Sequence, residues 1–573
     1  MAAAITSYAS ARSLFTHDTH TLAENEESEG FAQSMTESLL NGVAGGGRKL
    51  PRLWPFVVAF VIVCATLITC AVLNMISLSS HSANRPACER AVLTLVQSIP
   101  VVDFDIQPAA DSMPTHDAFI ALADASIASL DFTAMYMDLN ASADQDQFSH
   151  AELATLGAGR GAAVLDALFR AAQRGVSIRI LLGTLNNPIN STEVRSLLRY
   201  PNVAARIYDP RKWYGGGGIM HLKLWHSDAK RAYLGSANAD WKSLAQVKEV
   251  GVLINTTRSG GATADLGRLY EVFWAWSDPA LIPESVCTFS EPYQSNLTVP
   301  PWDTTLPTGV RDTQVAPFSL QPDSPVAAIT SLHNMQPLCL SGSSDANPSA
   351  NLHVAEGDAH AFVSASPGGA VTSGRTPDID ALVYTIRSAT RTLSLSVMDF
   401  LPASAYGDGH GDGPVYWPAL IDAVLAVAFA KPVRVRVLTS HWIHTNPRQA
   451  AAMSRLADGL AACTCTVACG AVKPHVNCSG SLEVRTYEVP GWNETLDANG
   501  TRFPSHSRVN HAKYIVSDQR LNIGTSNWQW GYFHDTAGAS FNTDAQELIA
   551  TAQSVFDADW ESSYAIPVLS PSS

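Results

Sequence analysis

Hydrophobic and polar positions along this chain change period in a pattern that repeats. "ASIASLDFTAMYMDL" from Ala125 to Leu139 passes from a polar helix end into an alternating strand, and "SATRTLSLSVMDFLP" from Ser388 to Pro402 does the same, both strands finishing in Met-Asp. "ALFRAAQRGVSIRILLGT" (Ala167 to Thr184) and "AVLAVAFAKPVRVRVLTS" (Ala423 to Ser440) are each an apolar helix feeding an arginine-bearing strand. "HLKLWHSDAKRAYLGSAN" (His221 to Asn238) has its counterpart in "HAKYIVSDQRLNIGTSN" (His511 to Asn527), and "RLYEVFWAWSDP" near 274 resembles "AQSVFDADWESS" near 560. A helix feeding a strand is the unit of a layered α/β fold, and the period is far longer than a solenoid's. The pattern therefore predicts two tandem α/β domains related by a pseudo-twofold, over 91–310 and 311–573, with a seam in the Pro-rich stretch near 295–325.

One apolar run breaks this alternation. Leu53 to Leu73, "LWPFVVAFVIVCATLITCAVL", carries no charge, and none follows until Arg85. It is long enough to cross a hydrocarbon core of roughly 30 Å as a helix, and it lies too far from the start for an ordinary cleaved signal peptide. Arg48, Lys49 and Arg52 crowd its N-terminal side, so the N-terminus should be cytoplasmic. The expected order is a cytoplasmic tail (1–52), a signal-anchor transmembrane helix (53–76), a stalk (77–90) and the two domains, which makes a single-pass type II membrane protein.

Asn140, Asn190, Asn255, Asn296, Asn477, Asn493 and Asn499 each open an Asn-x-Ser/Thr sequon, and all follow the apolar run. Such sites are modified in the secretory lumen, which agrees with that orientation and predicts a glycosylated ectodomain. Cys88, Cys287, Cys339, Cys463, Cys465, Cys469 and Cys478 lie on the same side; in an oxidising lumen they read as disulfide formers rather than a zinc module, and their odd number leaves at least one over.

The net charge of −15 over 573 residues excludes a general nucleic-acid-coating protein, so any phosphate site must be local. Seventeen histidines qualify this, because near pH 5 most would be charged.

Within "MHLKLWHSD" a strand places His221 and Lys223 on one face, with Asp228 five residues after the lysine. His511, Lys513 and Asp518 reproduce that spacing, and Gly-Ser/Thr-x-Asn follows in both copies, giving Ser236 and Asn238, then Thr525 and Asn527. A lone His-x-Lys is ordinarily the wet face of a strand; the repetition, with the same trailing residues, points to two halves of one site. Two histidines meeting at a pseudo-twofold can divide the work on a phosphodiester, one attacking phosphorus and the other protonating the departing oxygen. The lysines would neutralise the non-bridging oxygens while the asparagines donate hydrogen bonds, with no metal or other cofactor required. Other candidates are weaker: Ser236 lacks the Gly-x-Ser-x-Gly of a nucleophile elbow, and the glycines at 215–218 read as a mobile rim before His221 or, the commoner meaning of such a run, a plain linker.

His-x-Lys-x4-Asp, present twice, resembles the signature of the phospholipase D superfamily, and "SGRTPD", "RVNHAKYIVSD" and "IGTSNWQWGYFHDTAG" resemble its members three and four, from about Cys88 to the end. That resemblance implies an endolysosomal type II glycoprotein working through a phosphohistidine, with single-stranded DNA or RNA as substrate of a 5′-to-3′ exonuclease. It also implies the alternative of a phospholipase or transphosphatidylase acting on phosphatidylglycerol-type lipids. The N-terminal copy usually carries the nucleophile, which assigns that role to His221 and the acid/base role to His511. The family position that orients the imidazole matches Glu249, and in the second copy Asp535 stands where the family commonly has Glu. Asp228 and Asp518 are structural by the same resemblance. A second copy of the chain is a candidate partner, and a catalytically silent interaction glycoprotein is disfavoured because no motif residue is missing.

Overall fold

The computed structural model describes residues 89–186, 188–214, 217–257, 261–282, 289–290, 294–295, 330–340, 359–367, 375–404, 415–460, 479–494 and 500–568. The tail, the apolar run Leu53–Leu73, most of the stalk and the boundary at 310/311 lie outside these residues. Among the described residues no helix is long and apolar enough to cross a membrane. Both repeats belong to one compact unit, Ala87–Ser573.

The first repeat builds β1 (Glu89–Ser98), β2 (Ser129–Ala134), β3 (Ser177–Leu182), β4 (Val203–Ile207), β5 (Leu224–Ser227), β6 (Arg231–Gly235) and β7 (Glu249–Thr256), with α1 (Thr115–Ala125), α2 (Gly159–Gln173) and α3 (Gly261–Trp276). The second builds β8 (Gln336–Leu340), β9 (Ala359–Ser366), β10 (Thr392–Val397), β11 (Arg434–Ser440), β12 (Ser481–Tyr487), β13 (Lys513–Ser517), β14 (Leu521–Gly524), β15 (Gly538–Thr543) and β16 (Ala565–Pro567), with α4 (Asp378–Ser388), α5 (Ala419–Ala430) and α6 (Gln546–Glu561).

In each half three strands run parallel, β2–β3–β4 and β10–β11–β12, and the motif strands continue the sheet antiparallel. The halves meet where β8 pairs parallel with β1 and antiparallel with β9. Every position of β2 is buried. A strand covered on both faces cannot use a polar one, and so "SLDFTA" carries its single charge, Asp131, only because Arg179 meets it at 2.7 Å and also pairs with Glu271 at 2.5 Å.

The outer faces of the two sheets pack into separate cores, one around Phe119, Phe132, Leu168 and Trp225, the other around Leu382, Leu395, Val424 and Ile515. The inner faces share one core. Leu222, Leu224, Leu234 and Val252 of the first half lie in it with Val363, Tyr514, Ile523 and Phe541 of the second, alongside Phe273 of α3 and Phe556 of α6. Burying both inner faces together removes the largest apolar surfaces from water, which makes the two repeats a single folding entity rather than beads on a string. Charged pairs cross this contact: Lys248 meets Asp559 at 2.9 Å, and Arg375 forks onto Asp265, which also accepts from Thr330.

Hydrogen-bond register corrects one detail of the repeat. Asp228 accepts from the Ser129 amide and Asp518 from the Thr392 amide, which makes Ser129 and Thr392 equivalent. Counting along both strands then sets Tyr136, not Asp138, against Asp399. The short pairings agree, since Met137 bridges Ala239 and Phe400 bridges Trp528. The shared Met-Asp text is thus out of structural register by two residues.

Candidate active site

Each motif strand begins on the other half. The His221 amide donates to Ala537 O at 3.1 Å and the Ala537 amide to Ile219 O at 3.0 Å; the His511 amide donates to Lys248 O at 2.8 Å and the Lys248 amide to Val509 O at 2.9 Å. This reciprocal exchange brings the two imidazoles to a centroid separation of 6.2 Å, edge to face. One phosphoryl group fits between them within reach of both. The approach is close: a Cβ on Gly218 would stand 2.0 Å from Asp535 O, so the rim segment before His221 needs a glycine there.

Lys223 Nζ donates to His221 O at 2.9 Å, and Lys513 Nζ donates to His511 O at 2.6 Å. Each amine is thereby aimed from the same side of its own motif. Both lysines are buried. Burial, reinforced by Lys513, pushes the Lys223 pKa well below the usual lysine value, and burial pushes Lys513 down to about 7 against the pull of Glu249 and Asp399. Two buried lysines that depress one another's charge favour an anion beside them, a local basic site within a chain of net charge −15.

The carboxylate partner is crossed between the halves. Glu249 of the first half accepts from His511 Nδ1 of the second, at 2.9 and 3.0 Å. Despite full burial, His511 and Lys513 hold Glu249 below the usual carboxylate range. His511 is thereby oriented with Nε2 toward the cleft. Burial pushes its pKa down to about 4, opposed by Glu249 and helped by Lys513.

Asp535 does not occupy the equivalent place. Ser236 and Thr525 make the same bonds, Ser236 with Val250 and Thr525 with Ala539, which sets Glu249 against Gly538. A Cβ at Gly538 would lie 2.3 Å from Ser526 Oγ and 2.8 Å from Ser366 Oγ, so the site leaves no room for a carboxylate. Asp535 accepts instead from the Thr536 hydroxyl at 3.2 Å, and burial pushes its pKa up to about 7. His221 Nδ1 is buried without a carboxylate partner; burial, then Lys223, Lys513 and His511, push the His221 pKa well below its usual value against a hydrogen bond to the Thr525 backbone.

Asp228 and Asp518 cap the far ends of the motif strands. Asp228 accepts from the amides of Ile127, Ala128 and Ser129 at 2.8–2.9 Å, and Asp518 from those of Thr390, Arg391 and Thr392. For Asp518 these bonds and the Thr390 hydroxyl outweigh burial and hold the carboxyl far below its usual range. Neither is placed to carry protons. The Ser236 hydroxyl both donates to Val250 O and accepts from Val250 N, and Thr525 Oγ1 accepts from Ala539 N, so both hydroxyls hold their own sheet while their neighbours Asn238 and Asn527 lie buried in the site.

Two side chains that the motif does not contain also reach the centre. Asp399 Oδ2 accepts from Asn527 Nδ2 at 2.8 Å, and the Tyr532 ring packs edge-on against His221 at 5.0 Å while its hydroxyl accepts from Asn527 at 3.2 Å. Asp399 is the aspartate of the second Met-Asp, at the C-terminal end of a parallel strand, and Tyr532 lies just after the Gly-Thr-x-Asn turn. A cavity of about 200 Å³ adjoins Tyr532, lined also by Ile219, Gln529, Trp530 and Asp535.

Of the sequons, Asn190 and Asn493 are exposed, Asn140 is half-buried, and Asn255 is half-buried in β7 between Val92 and Arg231; Asn296, Asn477 and Asn499 lie outside the described residues. Cys339 in β8 is disulfide-bonded, and the other six cysteines of the ectodomain lie outside the described residues.

Residues 138–269 match the family described as cardiolipin synthase, PLD-like domain, and residues 331–476 the family described as PLD3/4, PLD-like domain. The chain is 31% identical over 481 residues to phospholipase D Z of Dictyostelium discoideum, covering 84% of this chain and 92% of that protein. Phospholipase D Y of the same organism is 27% identical, covering 84% and 93%, and the bovine 5′-3′ exonuclease PLD3 is 28% identical, covering 84% and 81%. With two like domains, two His-x-Lys motifs meeting across their interface and this relationship along most of its length, the chain belongs to the phospholipase D family.

Proposed function

We propose that this phosphodiesterase hydrolyses single-stranded nucleic acid from its 5′ end through a phosphohistidine, with its catalytic unit in the lumen of the endolysosomal system. The observation that carries the chemistry is the unequal environment of the two histidines. His221, without a carboxylate and beside two lysines, is held neutral and offers a lone pair to phosphorus. His511, with Glu249 behind Nδ1, is the ring on which a proton is stabilised. Burial is the main cause of the low His511 pKa, and a phosphodiester anion between Lys223 and Lys513 offsets the smaller share those lysines add, raising its proton affinity once substrate is bound. His221 forms the P–N bond as the P–O bond to the leaving group breaks, and His511 gives that oxygen its proton. Neutral His511 then takes a proton from water, whose oxygen attacks phosphorus and releases His221.

The name of the bovine relative supports a nucleic-acid substrate; the names of the Dictyostelium relatives favour a second reading, a phospholipid with an alcohol or water as acceptor. The sequons, the disulfide at Cys339 and the apolar run support the lumenal, membrane-anchored setting. The deciding experiment offers the full chain, at pH 5 with EDTA, a 5′-hydroxyl single-stranded oligonucleotide and, separately, phosphatidylglycerol vesicles with glycerol. EDTA-resistant loss of 5′ nucleotides, abolished in His221→Ala, is the expected result; turnover of lipid alone would replace the first reading with the second.

A further inference from the structure

A phosphate oxygen only accepts hydrogen bonds, so an asparagine that serves it must turn its amide nitrogen toward it. Asn527 does the reverse. Its Nδ2 is committed to Asp399 Oδ2 at 2.8 Å and to the Tyr532 hydroxyl at 3.2 Å, while its Oδ1 is buried with no hydrogen-bond partner among the described residues. The amide is held with its acceptor edge away from Asp399, which is the wrong polarity for an incoming anion and costs the desolvation of an unpaired oxygen.

We infer that Asp399 is a positioning residue that sets the polarity of the Asn527 amide: with a proton on its carboxyl it donates to Asn527 Oδ1, and the amide, turned over, presents Nδ2 to the substrate phosphate. The Tyr532 hydroxyl can follow either arrangement, because it accepts from Nδ2 in one and donates to Oδ1 in the other. The turned state satisfies the oxygen that the present state leaves unpaired.

The surroundings favour protonation under acid conditions. Burial pushes the Asp399 pKa up to about 6, against Lys513 of β13, the ammonium that faces it. Across the same cleft stand His511, Glu249, His221 and Lys223, with Asn527 and Tyr532 on the segment packed over Asp399. A bound phosphodiester adds a negative charge and raises its proton affinity further. In the other half Asn238 Oδ1 is likewise buried without a hydrogen-bond partner, but among the described residues its amide meets no carboxyl. The residue equivalent to Asp399 is Tyr136, whose hydroxyl donates to Asp240 at 2.9 Å, away from Asn238. One of the two phosphate amides is therefore under acid control.

This inference rests on the phosphodiesterase reading. The test compares the full chain and its Asp399→Asn variant between pH 5 and pH 7.5, with bis(4-nitrophenyl) phosphate and a single-stranded oligonucleotide as substrates and inorganic phosphate as competitive inhibitor. Asparagine at 399 offers a donor to Asn527 Oδ1 at every pH, and the turned pairing is the one that leaves no buried Asn527 oxygen without a partner. For a group titrating near 6, the proton-bearing fraction at pH 7 is about a tenth, so the ratio of variant to wild-type kcat/KM should rise about tenfold from pH 5 to pH 7. The phosphate Ki of the variant should likewise lose the part of its pH dependence that Asp399 supplies. An active wild type with a ratio that stays flat across this range overturns the inference. A wild type that hydrolyses neither substrate instead overturns the phosphodiesterase reading. Asp399→Ala, which keeps the space but offers no donor, separates positioning from polarity: it should be weaker than Asp399→Asn at pH 7, and equality of the two would also overturn the inference.

Discussion

Glu249 and Gly538 hold equivalent places in the two halves of the molecule, yet only one of them has a side chain. Glu249 closes on His511 Nδ1 at 2.9 Å, whereas a Cβ at Gly538 would strike Ser526 and Ser366. A site built by duplication is thereby made asymmetric by one carboxylate, supplied across the interface. Chemistry that needs one ring better able than the other to hold a proton finds that difference in the Glu249 contact.

Replacing Glu249 with Gln should keep the shape of the site and remove the charge that stabilises a proton on His511. Loss of a well-placed acid/base partner costs about 10²–10⁴ in rate, so kcat should fall by that order while KM changes little. Steady-state kinetics on an oligonucleotide check this, and an unchanged kcat would remove Glu249 from the mechanism.

The division of labour predicts what can be trapped. With a labelled phosphodiester and a quench in alkaline detergent, which preserves the acid-labile P–N bond, His511→Ala should accumulate covalent label at His221, because leaving-group loss with a good leaving group precedes the blocked hydrolysis. His221→Ala should accumulate none. Label found at His511 instead would reverse the two roles.

Activity should fall as pH rises through neutrality. Lys513, pushed down to about 7 by burial, is charged below that value and loses its charge above it, and Asp399 loses its proton near 6. Both changes weaken phosphate binding in the same direction. A kcat/KM profile that is flat or rising from pH 6 to pH 8 would contradict the electrostatic account of the site.

Gly538→Ala introduces a methyl 2.3 Å from Ser526 Oγ beside the Gly-Thr-x-Asn turn. Overpacking of this kind typically costs about 1–3 kcal/mol. The urea midpoint should drop accordingly, with a larger fractional loss of kcat than a change of equal stability remote from Thr525 and Asn527.

Arg375→Ala tests whether the halves are held by buried charge as well as by apolar contact. It strands Asp265, itself buried, without its guanidinium. Removing one partner of a buried pair costs about 3–5 kcal/mol, which denaturant titration would read as a lower midpoint. A loss below about 1 kcal/mol would show that water or Thr330 suffices to satisfy the carboxylate.

The sequence by itself determined a good deal. Alternation predicted His221 with Lys223, and His511 with Lys513, on one face of extended chain, although the strands themselves begin only at Leu224 and Lys513; repetition announced two copies; the spacing to Asp228 and Asp518 marked where each strand is capped. These are local facts, fixed by the two-residue period of a strand. What depended on tertiary structure was everything that crosses the twofold. Glu249 serves the histidine of the other half, Gly538 rather than Asp535 is its counterpart, and Asp399 is equivalent to Tyr136 although the text Met-Asp suggested Asp138. Lettering aligns residues by identity, whereas the ladder of backbone hydrogen bonds aligns them by register, and the two diverge where strands end. Which nitrogen meets which carboxylate is settled by how two inner faces bury each other, through contacts hundreds of residues apart that no local spacing encodes.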